Sequence, residues 1–328
     1  MSAKVSYAEA VTEFKKILGF KTIKSVIELT DGLQDGLFSG STNPFITKMR
    51  ELRVYSRTST TSVGAGAYGT IMLGEGKTVF KEIAITGNDT VDGTIVNGTY
   101  DPAKLDRSLR KVFFEAWIQT VLGLDATVGS NIAEILGVYK RATSSPYNDK
   151  FIVIVIEMKL LGDRVEDYIK PVAPIEFSYI QDSVINLIDI LQHLNRAYGF
   201  VHRDLHANNV MFNGRRITLI DFGLSCFTFL NSKGQTVKYA APGSTNKGDC
   251  QSFDMYIFLA SLLHASTRQY LSEACIEKIK SFFNVVSPFD RKVVNLFKAA
   301  DVDPYRNSVF HHFYEWHIRD LLSYIPAA

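Results

Sequence analysis

The sequence predicts an α+β fold with two lobes: a small antiparallel β-rich lobe with one helix, followed by a larger, mainly helical lobe. Three observations support this. Strand-like alternation dominates residues 52–156 apart from one helical stretch, and helical spacing dominates after Gly162. The chain has 328 residues and 46% hydrophobic content, enough for two cores. We expect an N-terminal helical extension at 1–50, the small lobe at 51–157 and the large lobe at 158–328.

The composition limits the cellular compartments and the classes of binding partner that we expect. The 36 basic and 34 acidic residues give a net charge of +2, too even for bulk nucleic-acid binding or polybasic membrane attachment. Three cysteines without a CxxC pair indicate neither a zinc cluster nor a disulfide framework. The longest apolar run, Phe151–Ile156, is far shorter than the ~20 residues of a bilayer span. We therefore expect a soluble intracellular protein of the cytoplasm or nucleus, with no nucleic-acid or membrane partner.

The elements of the small lobe follow from alternation and turn residues. The predicted strands are 52–63, 70–73, 78–85, 137–141 and 151–156, and the predicted helix is 106–122. Residues 86–100 are rich in Gly, Asn, Asp and Thr, which indicates an insertion outside the core.

The large lobe is predicted to be helical except for one hairpin. The predicted helices are 164–170, 174–198, 251–265 and several segments after Ser272. Val210–Phe212 and Ile217–Ile220 flank Asn213-Gly214, a pair that favours the tight turn of a β-hairpin.

A glycine-rich segment, Gly64–Gly69, lies between two predicted strands. Glycines allow backbone amides to approach phosphate oxygens closely. A simple glycine-rich hairpin is the alternative. A dinucleotide site would require a helix after the segment, and a strand follows instead.

Lys81 lies in a predicted strand and Glu115 is the one acidic residue inside the apolar helix 109–122. An unpaired carboxylate facing the core would be costly, so we predict an ion pair between them. Glu82 and Glu134 are the alternative partners, and a solvated strand lysine is the ordinary interpretation.

Asp204 and Asn209 bracket a loop before the hairpin, and Asp221 ends its second strand. The hairpin should bring Asn209 and Asp221 side by side as magnesium ligands, although either aspartate alone could be an ordinary turn residue. His202 and His206 have the spacing of a helical metal pair, but they lie in a loop. We expect His202 to support the loop from within.

Together these segments resemble the eukaryotic-type protein kinase family from about Leu52 to the C-terminus. The resemblance implies that Asp204 is the catalytic base, that Lys81 holds phosphates with Glu115 as its partner, and that Asn209 and Asp221 bind metal. Glu157–Lys159 is similar to the hinge that binds adenine. The implied nucleotide-binding residues are Val63, Gly64, Ala65, Gly66, Ala67, Tyr68, Gly69, Ile71, Val79, Lys81, Glu157 and Lys159.

Three further positions extend the resemblance. Thr236, near the end of an apparent activation segment, matches the threonine typical of Ser/Thr kinases, and Asp254 resembles the buried aspartate that anchors the catalytic loop. His206 replaces the lysine expected beside the base. We expect neighbouring carboxylates and phosphates to keep His206 protonated, so that it donates to the γ-phosphate.

The resemblance implies a divergent Ser/Thr protein kinase that uses ATP with Mg²⁺ or Mn²⁺ on an unidentified protein substrate. The sequence also resembles kinases of large DNA viruses, and a viral origin would add the virion to the expected locations. The N-terminal extension could brace the small lobe or recruit a partner. A small-molecule phosphotransferase of the aminoglycoside or choline kinase type is the main alternative, because Asp-Leu-His-x-x-Asn is typical of those enzymes. The second alternative is a pseudokinase that acts as a scaffold without catalysis.

Overall fold

A computed structural model describes residues 49–55, 62–66, 69–74, 78–86, 90–91, 94–95, 102–141, 151–159, 162–230, 236–240 and 254–284. The strands are β1 (Val54–Tyr55), β2 (Ser62–Gly66), β3 (Gly69–Leu73), β4 (Thr78–Thr86), β5 (Thr90–Val91), β6 (Thr94–Ile95), β7 (Ile135–Arg141), β8 (Phe151–Lys159), β9 (Asp163–Arg164), β10 (Val210–Asn213), β11 (Arg216–Leu219), β12 (Cys226–Leu230) and β13 (Thr236–Ala240). The helices are α1 (Pro102–Leu122), α2 (Val165–Ile169), α3 (Phe177–Tyr198), α4 (Asp254–Leu262), α5 (Ala265–Arg268) and α6 (Glu273–Asn284).

The chain divides into two compact units at residues 160 and 161, with short returns to the first unit between 230 and 245. The first is built on a sheet and the second is mainly helical, which confirms the predicted α+β class. The predicted lobe boundary after Glu157 falls slightly earlier than this division. The extension 1–50 lies almost wholly outside the described residues, so both predicted boundaries stay predictions.

The first unit contains a six-stranded sheet in the order β1-β7-β8-β4-β3-β2. Every neighbouring pair is antiparallel except β1 and β7. Strand β8 is central and longer than predicted, because it pairs with β4 along its whole length. One cluster of the apolar core lies on this sheet, where Tyr55, Phe80 and Val155 pack together.

Helix α1 packs on β4 and β7 of this sheet. It begins at Pro102, one turn before the predicted start at Asp106, and proline is well suited to the first position of a helix. Most of its apolar residues are buried, among them Leu109, Phe113, Phe114 and Trp117. Burial of this face fixes the rotation of α1, which decides where its polar residues point.

The second unit contains helices α2 to α6 and a three-stranded sheet in the order β11-β10-β9. Strands β10 and β11 form the predicted hairpin, with Asn213 opposite Arg216 and a two-residue turn between them. Gly214 in this turn has φ +60°, a backbone conformation that glycine adopts without strain. The hairpin is therefore confirmed in position, and each strand extends one residue further toward the turn than predicted.

Several predicted segments differ from the structure or lie outside it. The strand predicted at 52–63 is described only as β1 and the start of β2, and the insertion at 86–100 contains the short pair β5 and β6. The segments predicted after 284 lie outside the described residues. Over the part of the chain that is described, no helix combines the length and apolarity required to cross a bilayer.

Candidate active site

Lys81 and Glu115 form a buried ion pair in the first unit. The Lys81 Nζ lies 2.6 Å from the Glu115 Oε1, and the two residues are only 6% and 7% exposed. Strand β4 provides the lysine and helix α1 the carboxylate. The predicted ion pair is confirmed, and it holds a cationic side chain in a fixed position on the sheet.

The two alternative partners of Lys81 bind other cations. Glu82, the next residue on β4, accepts a hydrogen bond from Arg141 at 3.0 Å. Glu134 lies 3.5 Å from the Lys159 Nζ. Both pairs are more exposed than the Lys81–Glu115 pair, as expected for surface ion pairs.

The glycine-rich segment forms the β2–β3 hairpin, in which Gly66 pairs with Gly69. Gly69 has φ +147°, and a Cβ atom there would lie 2.5 Å from the Glu82 carbonyl oxygen. The sheet itself therefore requires glycine at this position, whether or not a phosphate binds nearby. Only the backbone is described for Val63, Gly64, Ala65 and Gly66, and the predicted contact residues Ala67 and Tyr68 lie outside the described part.

The remaining predicted nucleotide contacts of this unit lie on adjacent strands. Ile71 pairs with Lys81 across β3 and β4, and Val79 pairs with Met158 across β4 and β8. Ile71 and Val79 are both half-buried. They therefore offer apolar surface near the lysine without being part of the fully buried core.

The predicted hinge Glu157–Lys159 continues strand β8, with β4 on one side and β7 on the other. The Glu157 carboxylate accepts a hydrogen bond from the Tyr139 hydroxyl at 3.0 Å. The Lys159 N–H donates to the Glu134 carbonyl at 3.0 Å. Recognition of adenine through this N–H would therefore have to break the hydrogen bond to Glu134, the residue before β7.

Helix α1 carries a buried amide that sequence reasoning missed. Gln119, one turn after Glu115, is 2% exposed and its Nε2 donates to the Ala133 carbonyl at 2.7 Å. The same nitrogen lies 3.4 Å from the Met158 Sδ. These contacts tie α1 to the end of β8 and so help to hold Glu115 in register with Lys81. The available signal was a glutamine four residues after Glu115, on the same face of the helix.

In the second unit, Asp254 anchors the loop that contains Asp204. Its two carboxylate oxygens accept the N–H groups of His202 and Arg203, each at 2.8 Å. Arg203 has φ +69°, which is unfavourable for a residue with a side chain, and these hydrogen bonds stabilise it there. Burial raises the pKa of Asp254 to about 6, although both hydrogen bonds act in the opposite direction. The anchoring role expected from the resemblance agrees with this geometry.

Asn209 lies beside Asp204 and next to the hairpin. Its Nδ2 donates to the Asp204 carbonyl at 2.7 Å and lies 3.5 Å from the Asp204 Oδ2. The Ile220 N–H donates to the Asn209 carbonyl at 3.1 Å, which extends the β10–β11 ladder by one bond. Asp221 therefore follows directly after the residue bonded to Asn209, with φ +61°. The three predicted polar residues lie at one end of one hairpin.

His202 supports this loop from within, as expected. It is fully buried, and its Nε2 lies 2.9 Å from the Ile220 carbonyl. A carbonyl only accepts, so Nε2 carries the proton and donates. Burial lowers the pKa of His202 to about 4, against the opposite effects of the Ile220 carbonyl and Asp221. The ring is therefore a neutral structural link between the loop and the hairpin.

The carboxylates near His206 do not by themselves keep it protonated, and the expected effect of phosphates stays a prediction. Burial lowers the pKa of His206 and outweighs the attraction of Asp221. The geometry gives an independent reason. Nδ1 accepts the Asn208 N–H at 3.3 Å and so carries no proton, whereas an imidazolium has no acceptor. Nε2 then carries the ring proton and lies 3.8 Å from the Asp204 Oδ2. His206 is therefore a neutral residue that caps the short turn Ala207–Asn209.

These positions agree with a family match. The family model described as "Protein kinase domain" matches residues 57–258, which is more than half of the chain. The chain belongs to the protein kinase family. The match ends inside α4, so it does not extend to the C-terminus as the resemblance predicted. No curated protein matches the chain.

Two features of this kinase domain bear on metal and substrate binding. Because the Asn209 Nδ2 faces the Asp204 carbonyl, the amide oxygen Oδ1 of Asn209 faces the opposite side. This oxygen and the Asp221 carboxylate are the hard oxygen donors that Mg²⁺ prefers. The donor set therefore fits a magnesium ion. Thr236 lies at the start of β13, where only the backbone is described.

Proposed function

We propose that the chain is an ATP- and magnesium-dependent protein kinase that transfers the γ-phosphoryl group to Ser or Thr hydroxyls. The observation that carries this proposal is the arrangement of Asp204, Asn209 and Asp221 at one end of the β10–β11 hairpin. Phosphoryl transfer requires a group that orients the attacking hydroxyl and oxygen ligands for the metal. The buried Lys81–Glu115 pair supports the same function, because it supplies a fixed cation.

Each residue has one task in this proposal. Asp204 accepts the proton of the substrate hydroxyl and orients it for attack, while Lys81 holds the α and β phosphates. Asn209 and Asp221 would hold magnesium, which neutralises charge on the phosphates when it is bound. The contribution of the protein is mainly positioning, and the loop fixed by Asp254 supplies it.

His206 has a revised role. As a neutral ring it holds no charge for the transferring phosphate. With Nδ1 accepting the Asn208 N–H, its Nε2 carries the ring proton and is the donor available to an oxygen ligand. Ser/Thr specificity rests on the resemblance at Thr236, and a small-molecule hydroxyl remains the alternative acceptor because of the Asp-Leu-His-x-x-Asn sequence.

The test is transfer from labelled ATP to a basic protein, to casein and to a panel of aminoglycosides and choline, followed by identification of the phosphorylated amino acid. We expect phosphoserine or phosphothreonine. Asp204→Ala should reduce turnover at least about a hundredfold with little effect on ATP binding. Asp182→Ala is the matched control, since Asp182 is an exposed aspartate of the same unit that pairs with Arg215.

The outcomes separate the alternatives. Label in a small molecule but in no protein would favour the metabolite phosphotransferase. ATP binding without transfer to any acceptor would favour the pseudokinase. Near-normal turnover in Asp204→Ala would show that Asp204 is not the base.

A further inference from the structure

Helix α4 contacts the catalytic loop at a second point, seven residues after Asp254. Ser261 is 5% exposed, and its Oγ accepts the Ala207 N–H at 2.8 Å. The same hydroxyl donates to the Phe258 carbonyl of its own helix at 2.7 Å. Its proton is therefore used within the helix, and its oxygen lone pair is directed to the loop. Neither the sequence motifs nor the family resemblance assigns a role to this serine.

The position of Ala207 makes this contact important. Ala207 is the first residue of the single turn Ala207–Asn209, and it is 6% exposed. The first N–H groups of a helical turn have no acceptor within the turn, so a buried one requires an outside partner. Ser261 supplies that partner. The turn ends with Asn209, whose amide lies against Asp204.

Asp254 and Ser261 together hold both ends of a short segment. Seven residues are about two turns of an α-helix, so both side chains lie on the same face of α4. Asp254 binds the N–H groups before Asp204, and Ser261 binds an N–H group after it. Asp204 is thus fixed between two buried hydrogen-bonded points on one rigid helix.

We propose that Ser261 is a positioning residue for phosphoryl transfer, which fixes the turn bearing Asn209 and the C-terminal end of the segment bearing Asp204. This inference rests on the proposed function. It concerns the fixed geometry of the loop, and misplacement of a reacting group by about 1 Å can reduce a rate about a hundredfold. A serine that only bonds to its own helix is the ordinary alternative, because such bonds to a preceding carbonyl are common.

The experiment compares Ser261→Ala, Ser261→Thr and Ser183→Ala in the full chain. Ser183→Ala is the matched control, since Ser183 is a buried serine of α3 in the same unit, 3% exposed. The first measurement is hydrogen exchange of the Ala207 amide without ligands. The second is the dependence of kcat on Mg²⁺ concentration, together with KM for the basic protein or casein, whichever accepts the label.

We expect Ser261→Ala to speed exchange at Ala207 and to lower kcat about tenfold to a hundredfold, because a buried N–H loses its acceptor. The Mg²⁺ concentration for half-maximal rate should rise, and KM for the protein substrate should stay unchanged. Ser261→Thr keeps the hydroxyl and should restore both measurements. Ser183→Ala should change neither. If Ser261→Ala does not fold, Ser261→Cys keeps the volume with only weak hydrogen bonding and takes its place.

Three results would overturn the inference: unchanged exchange at Ala207, faster exchange with wild-type kcat and Mg²⁺ dependence, or an equal loss in Ser183→Ala. A wild-type chain without Asp204-dependent transfer would instead overturn the proposed function. The exchange measurement would then still decide whether Ser261 anchors the loop.

Discussion

Removal of the Glu115 charge should destabilise the first unit far more than removal of the Glu82 charge, whose ion-pair partner is exposed. Glu115→Gln leaves the Lys81 ammonium in a site where that residue is 6% exposed. At a separation of 2.6 Å, the lost attraction is about 6 kcal/mol for an effective dielectric constant of about 20. The neutral amide still accepts a hydrogen bond, so we expect a net loss of about 3 kcal/mol in the free energy of unfolding.

The assay is equilibrium unfolding in urea, analysed by linear extrapolation with the slopes compared. Glu82→Gln is the matched control. Glu82 lies next to Lys81 on β4 and pairs with Arg141, whose side chain is 40% exposed. An exposed pair of this kind contributes about 0–1 kcal/mol. The two variants make the same chemical change, one at the helix residue that pairs with Lys81 and one at its neighbour on β4.

A double variant separates stability from function. Lys81→Met with Glu115→Leu removes both buried charges, and replacement of a buried ion pair by apolar residues is often neutral or stabilising. We expect unfolding within about 1 kcal/mol of the wild-type value but no phosphoryl transfer. The reasoning would be refuted if Glu115→Gln cost no more than Glu82→Gln, or if the double variant were as unstable as the single one.

Two further predictions concern the second unit. The pKa of Asp254 in the folded protein is about 6, above the ordinary value of 3.8. Asp254 therefore contributes its full stabilisation below pH 3.8, and this contribution is lost as pH rises through about 6. The stability of the wild type relative to Asp254→Asn should therefore fall by about 3 kcal/mol between about pH 4 and pH 7, and a constant difference in urea unfolding would contradict this. His206→Asn keeps an acceptor near the place of Nδ1 and should unfold within about 0.5 kcal/mol of the wild type, whereas His206→Ala should lose about 1 kcal/mol. Equal losses in the two His206 variants would show that capping of the turn contributes nothing.

Features governed by local rules were predictable from the sequence. The Asn213-Gly214 pair marks the site of the turn, which consists of Gly214 and Arg215, and the turn fixes the pairing that brings Asn209 and Asp221 together. The Lys81–Glu115 pair was predictable because a lone carboxylate in an apolar helix requires a partner. Pro102 was an available signal for the start of α1 that the helical spacing alone missed.

Features that depend on tertiary burial were not predictable. Ser261 and Gln119 are polar residues with apolar neighbours in the chain, and no periodic pattern distinguishes a hydroxyl or amide that binds another segment from one that does not. The pKa direction of His206 depends on the competition between burial and nearby carboxylates. The sequence identifies the carboxylates but gives no measure of the burial, so it could not predict the direction of the pKa shift.

The ladder between β10 and β11 restricts how the sequence between Asn209 and Asp221 can vary in length. Each residue of one strand is paired with a residue of the other up to the two-residue turn. Insertion of one residue in each strand would lengthen the β10–β11 hairpin and leave the end with Asn209 and Asp221 unchanged. An insertion in only one strand would reverse the faces of the residues beyond it, or require a bulge to absorb it. Natural relatives of this chain should therefore differ in this interval by even numbers of residues, except where the turn itself has changed.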